Sequence, residues 1–197
     1  MGNDALPQVI DRARVEPEIT RSANEGAVPF EMGQEGTMLV AAGAHGLVRV
    51  AQGSHSRVEL GPGRAALDVA PGPSGDWWLL SARASASPRV LARLDAELAP
   101  RWERECGGAR MATPHPATDR VWVLDFERGR AEAFGALGEP LVPSVALASA
   151  PLVAAAVDPG GGLLAATAGA ILRLTPRGAP RPGQGRLERT TDLAWRF

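Results

Sequence analysis

A motif that returns about every 40 residues constrains this chain more than any other feature. Leu67-Asp68-Val69-Ala70-Pro71 leads through a Gly/Pro turn into Asp76-Trp77-Trp78-Leu79-Leu80. Arg110-Met111-Ala112-Thr113-Pro114 leads into Asp119-Arg120-Val121-Trp122-Val123-Leu124. Ala155-Ala156-Val157-Asp158-Pro159 leads through three glycines into Leu163-Leu164-Ala165-Ala166-Thr167. Trp78 and Trp122 hold the same place in their units, 44 residues apart. Units of this length, each built of several short strands, are the sequence form of β-propeller blades. One unit cannot bury its apolar face alone, so the units must stack around an axis. The expected fold is all-β: a β-propeller or partial propeller of about four to five four-stranded blades.

Period-two alternation supports this. Leu47, Arg49 and Ala51 point one way while Val48 and Val50 point the other. The second strand of each unit is apolar on both sides (Trp77 to Leu80, Val121 to Leu124), which predicts a strand covered by a neighbouring blade on each face. Glycines at 107–108 and 160–162 are expected to supply the positive φ of tight turns. The units fall at 27–64, 65–108, 109–150 and 151–190, with a closing strand at 191–197. Residues 1–26 stand apart as an acidic N-terminal segment and a candidate source of closing strands. Open sheet edges invite pairing with other chains, so closure is expected either within the chain or by a partner.

The stretch from Ala112 through Asp119-Arg120-Val121-Trp122-Val123-Leu124-Asp125 to Phe134 resembles the NHL-type β-propeller repeat of bacterial proteins. Val157-Asp158-Pro159 through Thr167, followed by Gly169 to Leu174, resembles it a second time. The resemblance covers about residues 65–175. It departs from the family plan in its Ala-rich strands and its few strand-end Asp residues. Propellers of this kind occur in phage-tail-like particles, and calcium-dependent propeller hydrolases resemble the chain in placing acidic residues around a central channel.

Composition excludes several classes. The net charge of −1 gives no reason to expect a nucleic acid or an anionic membrane, although residues 1–36 carry −4 and the remainder +3. All 21 basic residues are arginine, and lysine and tyrosine are absent. That bias fits a high-GC bacterial genome as well as any chemistry. Cys106 is the sole cysteine, so no intramolecular disulfide forms. No apolar run reaches the roughly 18 residues of a membrane helix, and no signal peptide opens the chain, so a cytoplasmic location is the default expectation.

Catalytic signatures are sparse. Gly61-Pro62-Gly63-Arg64-Ala65-Ala66 has the letters of a dinucleotide fingerprint, but Pro71 follows too soon for the helix that fingerprint needs. His45, His55 and His115 sit in separate turns without metal-ligand spacing. Ser85, Ser87 and Ser149 have no local base. Trp102, flanked by Arg101 and Glu103, and the terminal Trp195 read as surface aromatics. The sequence therefore predicts a non-enzymatic interaction or scaffold module for a protein partner or larger assembly, without cofactor, metal or catalytic residues. The partner-facing candidates are His45, Arg64, Ser85, Trp102, Arg110 and Arg128. The alternative is a calcium-assisted propeller hydrolase or lactonase, which requires Asp68, Asp158 and Asp192 to converge near the axis. A glycan-binding lectin using exposed tryptophans is the third reading.

Overall fold

The computed structural model of the chain describes residues 30–33, 36–51, 54–83, 88–112, 114, 118–147 and 151–181. Fifteen strands in these segments form four antiparallel sheets. Sheet 1 contains β1 (Phe30–Met32), β2 (Met38–Ala41), β3 (Leu47–Ala51) and β4 (Ser54–Val58). Sheet 2 contains β5 (Arg64–Pro71), β6 (Trp77–Arg83), β7 (Arg89–Leu94) and β8 (Pro100–Cys106). Sheet 3 contains β9 (Arg110–Ala112), β10 (Arg120–Asp125), β11 (Arg130–Gly135) and β12 (Pro140–Ala146). Sheet 4 contains β13 (Leu152–Val157), β14 (Leu163–Thr167) and β15 (Ile171–Leu174). Each sheet is an up-and-down meander in sequence order, as short antiparallel turns allow.

Successive sheets meet through their first strands: β5 approaches both β1 and β9, and β9 approaches β13. These first strands are the inner edge of the propeller, and the fourth strands are its rim. An apolar layer fills each space between sheets. Leu39, Ala41 and Leu47 of sheet 1 meet Trp77, Leu79, Ala92 and Leu94 of sheet 2. The opposite face of sheet 2 presents Trp78, Leu80 and Leu91 to Val121, Val123 and Phe134 of sheet 3. Trp122 and Leu124 then face Leu163, Ala165 and Leu174 of sheet 4. Alternation along β6 and β10 thus sends consecutive side chains into two different interfaces.

Repeat equivalence holds at the level of register. Trp78 pairs with Ala70 and Arg93, and Trp122 pairs with Ala112 and Ala133. Both indoles are fully buried and point toward the following sheet. Trp122 donates its Nε1–H to Gly161 O of sheet 4 at 3.1 Å. Trp102 does the same across the previous interface, donating to Ala136 O at 2.7 Å while packing edge-on against Trp78 with centroids 5.7 Å apart.

One ionic contact joins sheets 2 and 3. Arg93, 2% exposed, lies over the Trp78 ring at 4.0 Å from its centroid. Its Nε donates to Asp76 Oδ2 at 2.6 Å and its Nη2 to Asp119 Oδ1 of sheet 3 at 2.8 Å. Arg173 sits at the same register position of sheet 4, opposite Leu164, and reaches Asp158 Oδ2 at 3.1 Å. The buried Arg93 guanidinium is tolerated because carboxylates take its Nε and Nη2, although its Nη1 is buried without a hydrogen-bond partner.

Four of the five glycine expectations need correcting, because Gly107, Gly108, Gly160 and Gly162 all lack a positive φ. Gly161 has φ +79°, as the turn requires. Gly108 is needed for space instead: an added Cβ would lie 2.6 Å from Leu124 N and against the Val123 side chain. The proposed strands at 185–190 and 191–197, and closure by residues 1–26, lie outside the described residues.

Trp122→Ala should lower the unfolding free energy by about 3–5 kcal/mol, since it opens a cavity in a filled interface. Gly108→Ala should lower it by about 1–3 kcal/mol through overpacking. Urea denaturation of both variants checks this; a Trp122→Ala protein within about 1 kcal/mol of the parent would contradict the packing described.

Candidate functional site

The direction of the strands sorts the loops onto two faces. β5, β9 and β13 begin on one face, and the turns that join β2 to β3 and β10 to β11 open onto it as well. His45, Arg64, Arg110 and Arg128 all belong to this face. Ser85 would lie on the β6–β7 connection but falls outside the described residues. Trp102 does not share the face; it sits in the rim strand β8, locked into the sheet 2–sheet 3 interface.

The remaining candidates differ in how far they are committed to other partners. Arg64 donates to Glu103 Oε1 at 2.6 Å and to Ser81 Oγ at 3.3 Å, which ties it across its own sheet. His45 offers its carbonyl to Arg57 Nε at 2.6 Å. Arg110 and Arg128 come together, with Arg89, around a cleft of about 520 Å³. Ala109, Asp125, Phe126, Glu127 and Val153 complete its wall, so two acidic residues line it beside the three arginines. Arg128 stays loose, 80% exposed and 3.8 Å from Asp125 Oδ2. Arg110 extends over the Phe126 ring, 5.8 Å from its centroid.

Behind Arg110 stands Asp68, on the inner strand β5 just after a bulge. Its Oδ2 accepts the Met111 amide of β9 at 2.8 Å, and its Oδ1 accepts the Val69 amide at 3.0 Å. Burial pushes its pKa from the ordinary 3.8 up to about 6, and it outweighs both amides and the nearby Arg110 charge, which pull the other way. Asp68 is therefore a carboxylate that exchanges its proton near neutral pH. Arg110 links it to the cleft, because its guanidinium lines the cleft and the next amide along the chain holds Asp68.

The acidic convergence required by a calcium site is not present among the described residues. Asp158 lies beyond the opposite end of its inner strand, at the position that Gly72 holds in sheet 2. That is four residues past the level of Asp68, or roughly 13 Å along a strand. Asp158 is spent on its own turn, accepting Gly160 N and Gly162 N at 2.9 Å and Arg173 Nη2 at 3.1 Å. Burial would raise its pKa, but these partners outweigh burial and hold it below 3.8. Asp192 lies outside the described residues. No group of three or more His, Cys, Asp or Glu that could hold a metal occurs among the described residues. Asp125 and Glu127 line the cleft, but three arginines beside them make it a poor place for a divalent cation.

No family model and no curated protein matches the chain. Solved structures do. A virginiamycin B lyase from Staphylococcus aureus, solved with quinupristin, has a TM-score of 0.63 at 14% identity, over 82% of this chain and 56% of that one. A eukaryotic initiation factor gives 0.61 at 15% identity over 83% and 43%. A gluconolactonase from Xanthomonas campestris gives 0.52 at 15% identity over 78% and 61%. The chain spans about half the length of the propellers it resembles. The likeness shows the fold, an all-β propeller-type repeat. It also corrects the expectation of a non-enzymatic scaffold, because the similar propellers are mostly named as enzymes. Spacing in the sequence does not show contacts made across sheets. Asp68 is held by an amide 43 residues away. No helix among the described residues is long and apolar enough to cross a membrane.

Two measurements check the electrostatics. The folded pKa of Asp68 lies above the unfolded one, so the folded protein binds this proton more tightly between about pH 4 and 6. Its contribution to stability is full below about pH 4 and is lost as pH rises through about 6, by up to about 3 kcal/mol. Asp68→Asn should flatten that part of the stability profile; an unchanged slope would contradict the assignment. Cys106 is buried, and burial followed by the Glu132 charge pushes its pKa up to about 12. Its thiol should resist iodoacetamide at pH 8 until urea unfolds the protein, whereas rapid native labelling would contradict the burial.

Proposed function

We propose that this chain is a propeller hydrolase acting on esters or lactones at the face where β5, β9 and β13 begin. The observation that carries the reading is Asp68 on an inner strand, bonded to the Met111 amide and near the charge of Arg110, which lines the cleft. The fold alone does not choose a chemistry. The gluconolactonase among the similar propellers supports this class, and so does the charge pattern of the site.

The chemistry follows from what the residues offer. Ionised Asp68 accepts a proton from a water that attacks the ester carbonyl, and each carboxylate oxygen keeps a free lone pair after its amide contact. Arg110 and Arg89 supply positive charge where the carbonyl oxygen becomes negative. Asp68 then returns the proton to the leaving oxygen, so the ring-opened hydroxy acid forms without net proton change on the protein. No step is routed through a metal ion, since the described donors do not suit one.

A panel of γ- and δ-lactones and aryl esters tests the reading. Turnover should rise with pH through about 6 as Asp68 ionises. Asp68→Asn should lower kcat/KM by about 10²–10⁴-fold with the fold intact, the usual weight of a general base. A panel in which every substrate hydrolyses only at its uncatalysed rate would overturn it.

A further inference from the structure

We propose that the cleft between Arg89, Arg110 and Arg128 is a binding site for a small organic carboxylate that carries an apolar body. Its size, about 520 Å³, suits a small molecule. The three guanidinium groups come from different elements: the start of β7, the start of β9 and the β10–β11 turn. Arg89 and Arg110 make no ion pair among the described residues, unlike Arg64, Arg93 and Arg173, which are each held by a carboxylate. Arg128 is only loosely held by Asp125, so it is free to turn toward a ligand.

The same cleft exposes apolar surface. Val153 is 54% exposed, and the Phe126 ring lies beneath Arg110. Forked donors beside an apolar wall recognise a ligand with one acidic end and one hydrophobic end. A naked metal ion or a fully polar sugar would leave one half of that surface unmatched.

For its place in a reaction, this inference rests on the hydrolase reading, because opening a lactone produces such an acid. For binding it rests on the cleft alone. Isothermal titration with 4-phenylbutyrate, 4-phenylbutan-1-ol and 4-phenylbutyl phosphate separates the possibilities. The acid should bind, the alcohol should bind at least about tenfold more weakly, and added salt should weaken the acid. Arg89→Ala and Arg110→Ala should each weaken the acid about tenfold, with melting temperatures close to the parent. Should an alanine variant fail to fold, Arg89→Gln or Arg110→Gln gives the same reading.

Equal affinity for acid and alcohol, tighter binding of the phosphate, no binding of the acid, or unchanged binding in the folded arginine variants would overturn the site. Asp68→Asn should keep binding while losing turnover, which keeps the two claims apart. Binding of the acid without any lactone turnover in the parent protein would leave this inference standing and remove the hydrolase reading. Lactone turnover by a parent protein that does not bind the acid would do the reverse.

Discussion

A strand that is apolar on both faces can be stable only between two other sheets, and most of this structure follows from that constraint. In β6 the consecutive residues Trp77 and Trp78 enter different interfaces, and Val121 and Trp122 do the same in β10. Every sheet therefore requires a neighbour on each side, and the neighbours must be presented in order around an axis. The first strands are thereby brought together, which places Arg110 and Asp68 of different sheets side by side. The candidate face is a by-product of the stacking.

Polar groups inside the stack reinforce its geometry. Arg93 reaches from β7 to carboxylates on two sheets, and the indoles of Trp102 and Trp122 each donate to a carbonyl of the next sheet. Such directional contacts fix how far one sheet rotates against the next, which apolar packing leaves loose. Arg173, at the equivalent position of sheet 4, is half-exposed and pairs only with Asp158 of its own sheet, and sheet 3 has Ala133 there, so the contact between sheets belongs to Arg93. Sheet 1 shows the same logic on its other face, where Val40, Ala42, Val48 and Val50 are all buried.

The architecture was readable from sequence because the repeat forces it. Trp78 and Trp122 betray the period, and Gly161 marks a turn that needs positive φ. The site was far less readable. Arg110 and Arg128 stand out only as loop arginines among many, and nothing in the sequence says that they share a cleft with Arg89 from another sheet. Trp102 looks exposed because Arg101 and Glu103 flank it, although its ring turns inward against Trp78. Asp68 was grouped with Asp158 by its place near an inner strand, yet a difference of a few residues put the two at different levels of the axis. Opposite pKa shifts result, one from burial and one from a turn full of donors.

Hydrogen–deuterium exchange of the intact chain, resolved by peptide, tests the central claim of sandwiched second strands most directly. Amides of residues 77–83 and 120–125 should exchange slowest, with those of the rim strands at 100–106 and 140–146 well ahead of them. Rim strands protected as strongly as these inner ones, or fast exchange at 120–125, would contradict the stacked arrangement.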